Sequence, residues 1–234
     1  MVITEHTTVG DIAAALPSSI GVFQRHGIDF CCGGRTPLSV ACHERGISFA
    51  EIAGAVAAAA APADPDSRDW TREPLRALID HIIGTYHTPL REELPRLGAM
   101  AVKVANVHGA KAPHLSRVQA LVSELSDELN LHMLKEERML FPAIRAIEDD
   151  RDLVIPISAP IRVMEHEHDR AGELLSELRA ITSGYVPPSW ACGTFQALYQ
   201  GLAELESDMH AHVHLENNVL FPRAQDAARG AEQG

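Results

Sequence analysis

The residues with the clearest capacity for chemistry form two copies of one histidine–glutamate motif. The copies are His132-Met133-Leu134-Lys135-Glu136 and His212-Val213-His214-Leu215-Glu216. Both continue to the same Leu-Phe-Pro triplet, at 140–142 and 220–222, so the copies lie 80 residues apart. Residues four apart in a helix share one face. Each motif therefore predicts an imidazole and a carboxylate that reach the same point in a helical core.

One further histidine precedes each copy at nearly the same distance. His87 lies 45 residues before His132, and His168 lies 44 residues before His212. Carboxylates can bridge two metal ions while imidazoles complete the coordination of each, and this mixture suits iron, zinc or manganese. The number of ligands favours two non-haem irons bridged by the two glutamates. The predicted metal ligands are His87, His132, Glu136, His168, His212 and Glu216.

The alternative to a metal site is a set of ordinary helical residues. A single His-x-x-x-Glu on a helix is usually a solvated pair. Two copies with the same final triplet, each with an equally spaced histidine, are harder to explain in that way. Burying four imidazoles and two carboxylates without a metal would cost on the order of several kcal/mol. We therefore favour the metal site.

Other polar residues near the motifs receive weaker assignments. Candidates for hydrogen bonds to the ligands are Glu165, Glu167, His108 and Glu128. Glu167 could also line an access path, although a solvated helix face is the preferred interpretation of both Glu165 and Glu167. His166 and His214 point away from the neighbouring ligand histidines, so we predict that both are exposed.

The elements that must position these residues are predicted to be helices, because no segment alternates as a strand does. The four long helices are expected at about 72–107, 115–147, 161–181 and 189–228. Four helices with short to moderate connectors predict an all-α, up-down-up-down four-helix bundle over residues 71–228. Pro89, two residues past His87, should kink the first of these helices.

A smaller helical domain is predicted at residues 1–60, with Gly27 and Gly46 ending two of its helices. Residues 61–70 have the composition of a linker. The first domain contains Cys31 and Cys32, which are followed by two glycines that should expose the thiols in a loop. Cys42 and Cys192 are interpreted as core residues.

The vicinal cysteines have two interpretations. Adjacent cysteines form only a strained, easily reduced disulfide. The pair could accept a nitrosyl group or an oxidising equivalent, or help to hand over iron. It could instead be two inert buried thiols, since free cysteine is commonly buried. The loop composition favours a functional role for Cys31 and Cys32.

Composition excludes several classes of function. Acidic residues outnumber basic ones by 32 to 20, and a net charge of −12 repels nucleic acid. The longest apolar run, Ala55 to Pro62, is too short to cross a bilayer, and the first residues lack the pattern of an export signal. We expect a soluble cytoplasmic protein with reduced thiols.

The motifs together resemble the hemerythrin-like di-iron bundle and, more closely, the repair-of-iron-centres (RIC) family. The motifs that carry the resemblance are Ile28-Asp29-Phe30-Cys31-Cys32-Gly33-Gly34, Tyr86-His87, His132-x-x-x-Glu136-Glu137, Glu167-His168-Asp169 and His212-x-x-x-Glu216-Asn217-Asn218. Plain hemerythrins are similar only to the bundle and lack the vicinal cysteines. The resemblance implies a cytoplasmic di-iron protein that restores iron–sulfur clusters damaged by nitric oxide or peroxide, with the same six ligands.

Two functions follow as expectations. In the first, the protein repairs iron–sulfur proteins by nitric oxide chemistry or by donating iron. In the second, it is a carrier or sensor that holds oxygen or nitric oxide without turnover. A ferritin-like oxidase would need more carboxylates and fewer imidazoles. The thiol pair favours repair, because a carrier needs only the bundle. The sequence leaves open whether the protein is a monomer or a dimer and whether chemistry turns over.

Overall fold

The computed structural model describes residues 1–59, 68–149 and 156–232, and these residues form helices joined by turns and loops. The helices are α1 (Val9–Ala15), α2 (Ile20–Arg25), α3 (Leu38–Glu44), α4 (Phe49–Ala59), α5 (Leu75–Ile82), α6 (Thr88–His108), α7 (Leu115–Lys135), α8 (Phe141–Glu148), α9 (Ser158–Ile181), α10 (Gly193–Leu215) and α11 (Phe221–Glu232). A 3-10 turn, Pro17–Ser19, precedes α2. The π-helical turns in the same residues are Ile83–His87, Glu136–Leu140 and Glu216–Leu220.

The predicted all-α class is confirmed. Across the described ranges the extended pairing is limited to one isolated bridge between Thr8 and Pro37. The four long predicted helices correspond to α5–α6, α7–α8, α9 and α10–α11, each continued through a π turn except α9. Most of the predicted linker at 61–70 lies outside the described residues. None of the helices in the described ranges is long and apolar enough to cross a membrane.

One compact unit is built from the described parts of residues 81–143 and 154–209. In it, α6 packs against α7, and α7 packs against α9. Arg117 at the start of α7 pairs with Glu177 near the end of α9, at 2.7 Å, so these helices are antiparallel. Arg179 of α9 donates to Glu206 of α10 at 2.8 Å, and Gly201 of α10 lies against α6. This closes the ring of four helices, as the predicted bundle requires.

Leucines at helical spacing fill the interior of this unit. Leu121, Leu125, Leu174 and Leu178 are at most 1% exposed. Burying one such side chain contributes roughly 1.5–3 kcal/mol. This apolar burial stabilises the helices that also carry the buried polar side chains of the unit.

The other compact unit is built from the described parts of residues 1–80, 144–153 and 210–234. Its N-terminal helices surround a separate core that includes Val9, Phe23 and Leu38. Gly27 and Gly46 follow α2 and α3 with φ of +64° and +67°, a backbone conformation that glycine adopts without strain. Both predicted helix ends are confirmed.

Candidate metal centre

Four of the predicted ligands come together in the unit of residues 81–143 and 154–209. The Nε2 atoms of His132 and His168 lie 3.0 Å apart. One carboxylate oxygen of Glu136 lies 3.4 Å from Nε2 of His87 and 3.4 Å from Nε2 of His132. One ligand atom from each of His132, Glu136 and His168 lies within 4.8 Å of the others. This buried histidine–glutamate cluster could hold a metal ion.

The Glu136 carboxylate tests whether a metal fits this cluster. Its side chain is fully buried, and neither oxygen has a hydrogen-bond partner among the described residues. A buried carboxylate without hydrogen bonds is strongly unfavourable unless it is paired or coordinates a cation. Imidazole nitrogens and carboxylate oxygens are ligands that transition metals accept. The donor set therefore fits a metal ion.

The remaining two predicted ligands lie in the other unit and contact each other. Nε2 of His212 is 3.0 Å from a carboxylate oxygen of Glu216, and both side chains are buried. The two residues are one helical turn apart, so the predicted shared face of the motif is confirmed for this pair. Their chemistry repeats that of His132 and Glu136, 80 residues earlier.

Glu167 is a polar neighbour that the sequence placed incorrectly. The prediction of a solvated helix face is wrong, because the carboxylate lies 3.0 Å from Nδ1 of His132 and also contacts Lys135. The hydrogen bond with His132 and the Lys135 ammonium outweigh the effect of burial and lower the pKa of Glu167 to about 2. Glu167 also lines a cavity of about 270 Å³ that reaches His132 and His168, as its predicted place on an access path requires.

Glu137 is a functional candidate that belongs to one of the quoted motifs but had no predicted role. Its carboxylate lies 2.8 Å from Nδ1 of His87 and 2.5 Å from Nη2 of Arg91. Burial raises the pKa of Glu137, but hydrogen bonds with Arg91 and His87 outweigh it, so the pKa lies below its usual value. The sequence does contain a signal for it: Glu137 directly follows Glu136 in the first motif copy, whereas Asn217 follows Glu216 in the second.

The other candidates contact residues outside the ligand set. Glu128 pairs with Arg170 at 3.6 Å. His108 lies 3.2 Å from the sulfur of Cys192. His166 is exposed, as predicted, whereas Cys192 is exposed rather than part of the core. Cys192 precedes the first residue of α10, so no helix face carries it inward.

The vicinal cysteines lie in a loop, as predicted, but Cys31 is buried and only Cys32 is partly exposed. The expectation that the glycines expose both thiols is therefore wrong for Cys31. Oδ1 of Asp29 accepts hydrogen bonds from the thiol of Cys31 at 3.2 Å and from both backbone N–H groups. The sulfurs are 4.0 Å apart, and the hydrogen bond with Cys32 and burial raise the pKa of Cys31. Cys42 is buried, as predicted.

Asn218 holds this loop in place within the same unit. Its amide donates to the carbonyl oxygens of Phe30 at 3.1 Å and Cys31 at 3.2 Å. Nδ1 of His214 lies 3.3 Å from the same Phe30 oxygen. The prediction that His214 is exposed is wrong: it is 2% exposed, and burial lowers its pKa to about 4. The imidazole of His214 is thus neutral at pH 7.

Comparison with known proteins places both parts of the chain. Residues 78–224 match the hemerythrin HHE cation binding domain, and residues 5–60 match the ScdA_N domain, described as a domain of unknown function. Iron-sulfur cluster repair protein YtfE of Pectobacterium atrosepticum is 41% identical over 217 residues, which cover 93% of this chain and 96% of that protein. The chain belongs to the RIC family. The proteins of the same printed name from Musicola paradisiaca and Yersinia pseudotuberculosis are 39% and 40% identical, each over 93% of this chain and 95% and 96% of their own lengths.

The two matched domains contain both groups of residues that the sequence selected. All six predicted ligands lie in the range matched by the cation binding domain, and Cys31 and Cys32 lie in the range matched by ScdA_N. The resemblance inferred from the motifs is therefore confirmed, and so is the helical bundle of the RIC chain.

Three of the predicted ligands in this RIC-family chain lie in π-helical turns. His87 ends the turn Ile83–His87, while Glu136 and Glu216 begin the other two. After each turn comes a residue whose N–H bonds to the carbonyl five residues earlier, and then a proline. These prolines are Pro89, Pro142 and Pro222.

The π turns explain how the helices accommodate these prolines. In an α-helix, proline leaves the carbonyl four residues earlier without a partner and clashes with it. A π turn is wider and uses bonds to the fifth residue instead, so the constraint is relieved. At Pro89, where a kink was predicted, the structure places a π turn just before the proline, and helical structure runs from Leu75 to His108.

Replacing Pro89 by alanine should weaken metal binding without loss of helix. Alanine supplies an N–H that can bond to the carbonyl of Thr85, which favours an α-helical turn and rotates His87. One backbone hydrogen bond contributes about 1 kcal/mol net, which is about fivefold in affinity. Metal titration against a competing chelator measures the change, with circular dichroism for helix content. Pro95→Ala, at an exposed position inside α6, should leave affinity unchanged. Equal effects of both variants would refute the role of the turn.

Proposed function

We propose that this RIC-family protein repairs iron–sulfur clusters damaged by nitric oxide or oxidative stress, using a non-haem di-iron centre. The observation that carries the proposal is 41% identity over 93% of the chain to a protein named for iron–sulfur cluster repair. The matched domains add support, because one of them is named for cation binding and the other spans the thiol pair. Iron–sulfur proteins are the proposed clients, and nitric oxide or oxygen is the proposed small ligand.

The proposed iron ligands are His87, His132, Glu136, His168, His212 and Glu216. Glu136 and Glu216 are proposed to bridge the two ions, because each is buried and follows a histidine by one turn. Bound irons would supply redox-active positions for nitric oxide or oxygen, or a source of iron. The protein directs Nε2 of His87 and His132 towards Glu136 and excludes bulk water from these buried groups.

We also propose that Cys31 and Cys32 take part in redox chemistry or in the transfer of nitric oxide or iron. Oxidation by oxygen would join the two sulfurs, which are 4.0 Å apart, in a disulfide of about 2.05 Å, and the two electrons and two protons would pass to oxygen to give hydrogen peroxide. The raised pKa keeps the thiol of Cys31 protonated near pH 7, and Asp29 accepts its hydrogen bond. Cys32 is the more exposed of the two and is the proposed first site of reaction.

The proposed location is the cytoplasm, where free thiols persist. All four cysteines of the chain are free in the structure. A monomer or a dimer is proposed. A carrier or sensor of oxygen or nitric oxide would need only the cation binding domain, so the thiol pair favours repair.

A repair assay tests the function and the thiols together. An aconitase inactivated by nitric oxide is incubated with iron-loaded parent protein, with Cys31→Ser/Cys32→Ser, or with Cys192→Ser. The parent and Cys192→Ser should restore aconitase activity. The double variant should keep its fold and iron but restore activity only at the background rate.

Each failure has a separate meaning in this assay. A parent protein that restores nothing would refute repair and support the carrier or sensor. Repair by the double variant at the parent rate would make the thiols structural. Loss of iron from the double variant, measured by elemental analysis, would show that the cysteines are ligands.

A further inference from the structure

Glu137 lies next to a predicted ligand but is not one of the six. Its Oε1 is 2.8 Å from Nδ1 of His87, while Nε2 on the other side of the ring faces Glu136 at 3.4 Å. A carboxylate can only accept a hydrogen bond, so Nδ1 of a neutral imidazole must carry the proton here. Nε2 then presents its lone pair towards Glu136, as a metal ligand requires.

Two further contacts restrict the geometry of this pair. Arg91 donates from Nη2 to the same oxygen of Glu137 at 2.5 Å, which holds the carboxylate in place. Phe141 stacks on the His87 ring, with centroids 5.7 Å apart and planes inclined by 19°. Phe141 therefore fixes the plane of the imidazole, and Glu137 fixes its rotation within that plane.

The motif repeat indicates that this arrangement belongs to the first copy alone. In the second copy, the position of Glu137 is occupied by Asn217, and the position of Arg91, four residues after the lone histidine, is occupied by Gly172. Within the first copy, Glu137 contacts only one of the two ligand imidazoles by this route, because Nδ1 of His132 contacts a different carboxylate, that of Glu167 at 3.0 Å. A surface ion pair needed only for helix stability would have no reason to end on the ring nitrogen of a buried histidine.

We propose that Glu137 is a positioning residue that fixes the tautomer and orientation of His87 for metal binding, and that Arg91 acts through Glu137. The inference rests on the proposed metal centre and concerns residues outside its ligand set. Hydrogen bonds of this kind to ligand imidazoles change metal affinity by about 10- to 100-fold when they are removed. Glu137 and Arg91 therefore set how tightly the centre holds metal.

Metal titration of the full chain tests the proposal. Metal-free parent, Glu137→Ala, Glu137→Gln and Arg91→Met are titrated with Fe(II) under anaerobic conditions against a competing chelator. Glu137→Ala should lose affinity by about 10- to 100-fold. Glu137→Gln should recover most of it, because its amide oxygen still accepts from Nδ1, and Arg91→Met should fall between them. Glu177→Ala removes the surface pair with Arg117 and should match the parent.

Long-range ¹H–¹⁵N spectra of the metal-free proteins give a second readout. They should show the proton on Nδ1 of His87 in the parent and in Glu137→Gln, and a mixture of tautomers in Glu137→Ala. Parent affinity in Glu137→Ala, or equal losses in the alanine and glutamine variants, would overturn the proposal. If Glu137→Ala does not fold, Glu137→Gln and Arg91→Met decide it. A parent that binds no Fe(II) would instead refute the metal centre itself.

Discussion

Glu136→Ala should abolish metal binding, and the metal-dependent part of the thermal stability should disappear with it. The carboxylate is fully buried, and its Oε2 lies 3.4 Å from the Nε2 atoms of both His87 and His132. Among the described residues of the unit that contains His87 and His132, Glu136 supplies the carboxylate that lies between these two imidazoles, and alanine removes it. A ligand at 100 times its dissociation constant stabilises a fold by about 2.7 kcal/mol, and the variant should lose this contribution.

Elemental analysis and thermal unfolding with and without chelator measure the two effects. Chelator should lower the melting temperature of the parent and leave that of Glu136→Ala unchanged. Glu216→Ala should behave in the same way, because Glu216 occupies the equivalent position 80 residues later. Glu177→Ala provides a control for the loss of a surface carboxylate. Full metal occupancy in both Glu136→Ala and Glu216→Ala would refute the ligand assignment.

The stability of the metal-free proteins distinguishes a metal-binding role of Glu136 from a purely structural one. Without metal, the parent carries a buried carboxylate that has no hydrogen-bond partner among the described residues. An unsatisfied buried group of this kind costs about 1–3 kcal/mol. Metal-free Glu136→Ala should therefore be no less stable than the metal-free parent. A variant that is unstable even without metal would show that Glu136 has a structural role instead.

The ligand spacing was predictable because helix geometry imposes it. A residue four positions after a histidine must share its face, so His132 with Glu136 and His212 with Glu216 needed no tertiary information. The helix bounds followed from glycine and proline for the same local reason. The π turns were not predicted, although a proline follows each of them. Hydrophobic periodicity does not show whether a backbone N–H bonds to the carbonyl four residues earlier, as in an α-helix, or five residues earlier, as in a π turn.

Contacts between distant segments account for the other errors. His214 was predicted to be exposed from its own helix alone, but the carbonyl of Phe30 lies 3.3 Å from its ring, 184 residues away in sequence. Glu167 was judged in the same way, and its partner His132 belongs to another helix. Sequence spacing determines which residues share a helix face. It does not determine which other element covers that face.

Gly34→Ala should destabilise the protein and expose the thiol loop. A Cβ at Gly34 would lie 2.3 Å from Oδ1 of Asn218, closer than non-bonded atoms can approach. Asn218 cannot turn aside freely, because its amide donates to the carbonyl oxygens of Phe30 and Cys31. The loss of these buried bonds should cost about 1–3 kcal/mol, and the thiol of Cys31 should become more reactive.

Chemical denaturation and the rate of thiol modification measure these two effects. Gly54→Ala serves as the matched control, since nothing lies within 4 Å of a Cβ at Gly54 in α4. That variant should be neutral or more stable by up to about 1 kcal/mol. The double variant Gly34→Ala/Asn218→Ala removes the clash together with the bonds. It should therefore resemble Asn218→Ala alone, a strong departure from additivity.

The same comparison shows whether Asn218 couples the thiol loop to a ligand-bearing segment. Asn218 lies in the π turn Glu216–Leu220, which begins with a predicted ligand. Its side chain also approaches the site of a Cβ at Gly10, at 2.4 Å, so both glycines leave room for one amide. If Gly34→Ala has parent stability and parent thiol reactivity, Asn218 does not hold the loop. If stability falls in Gly34→Ala and the double variant behaves additively, the strain arises elsewhere in the loop and Asn218 is not its source.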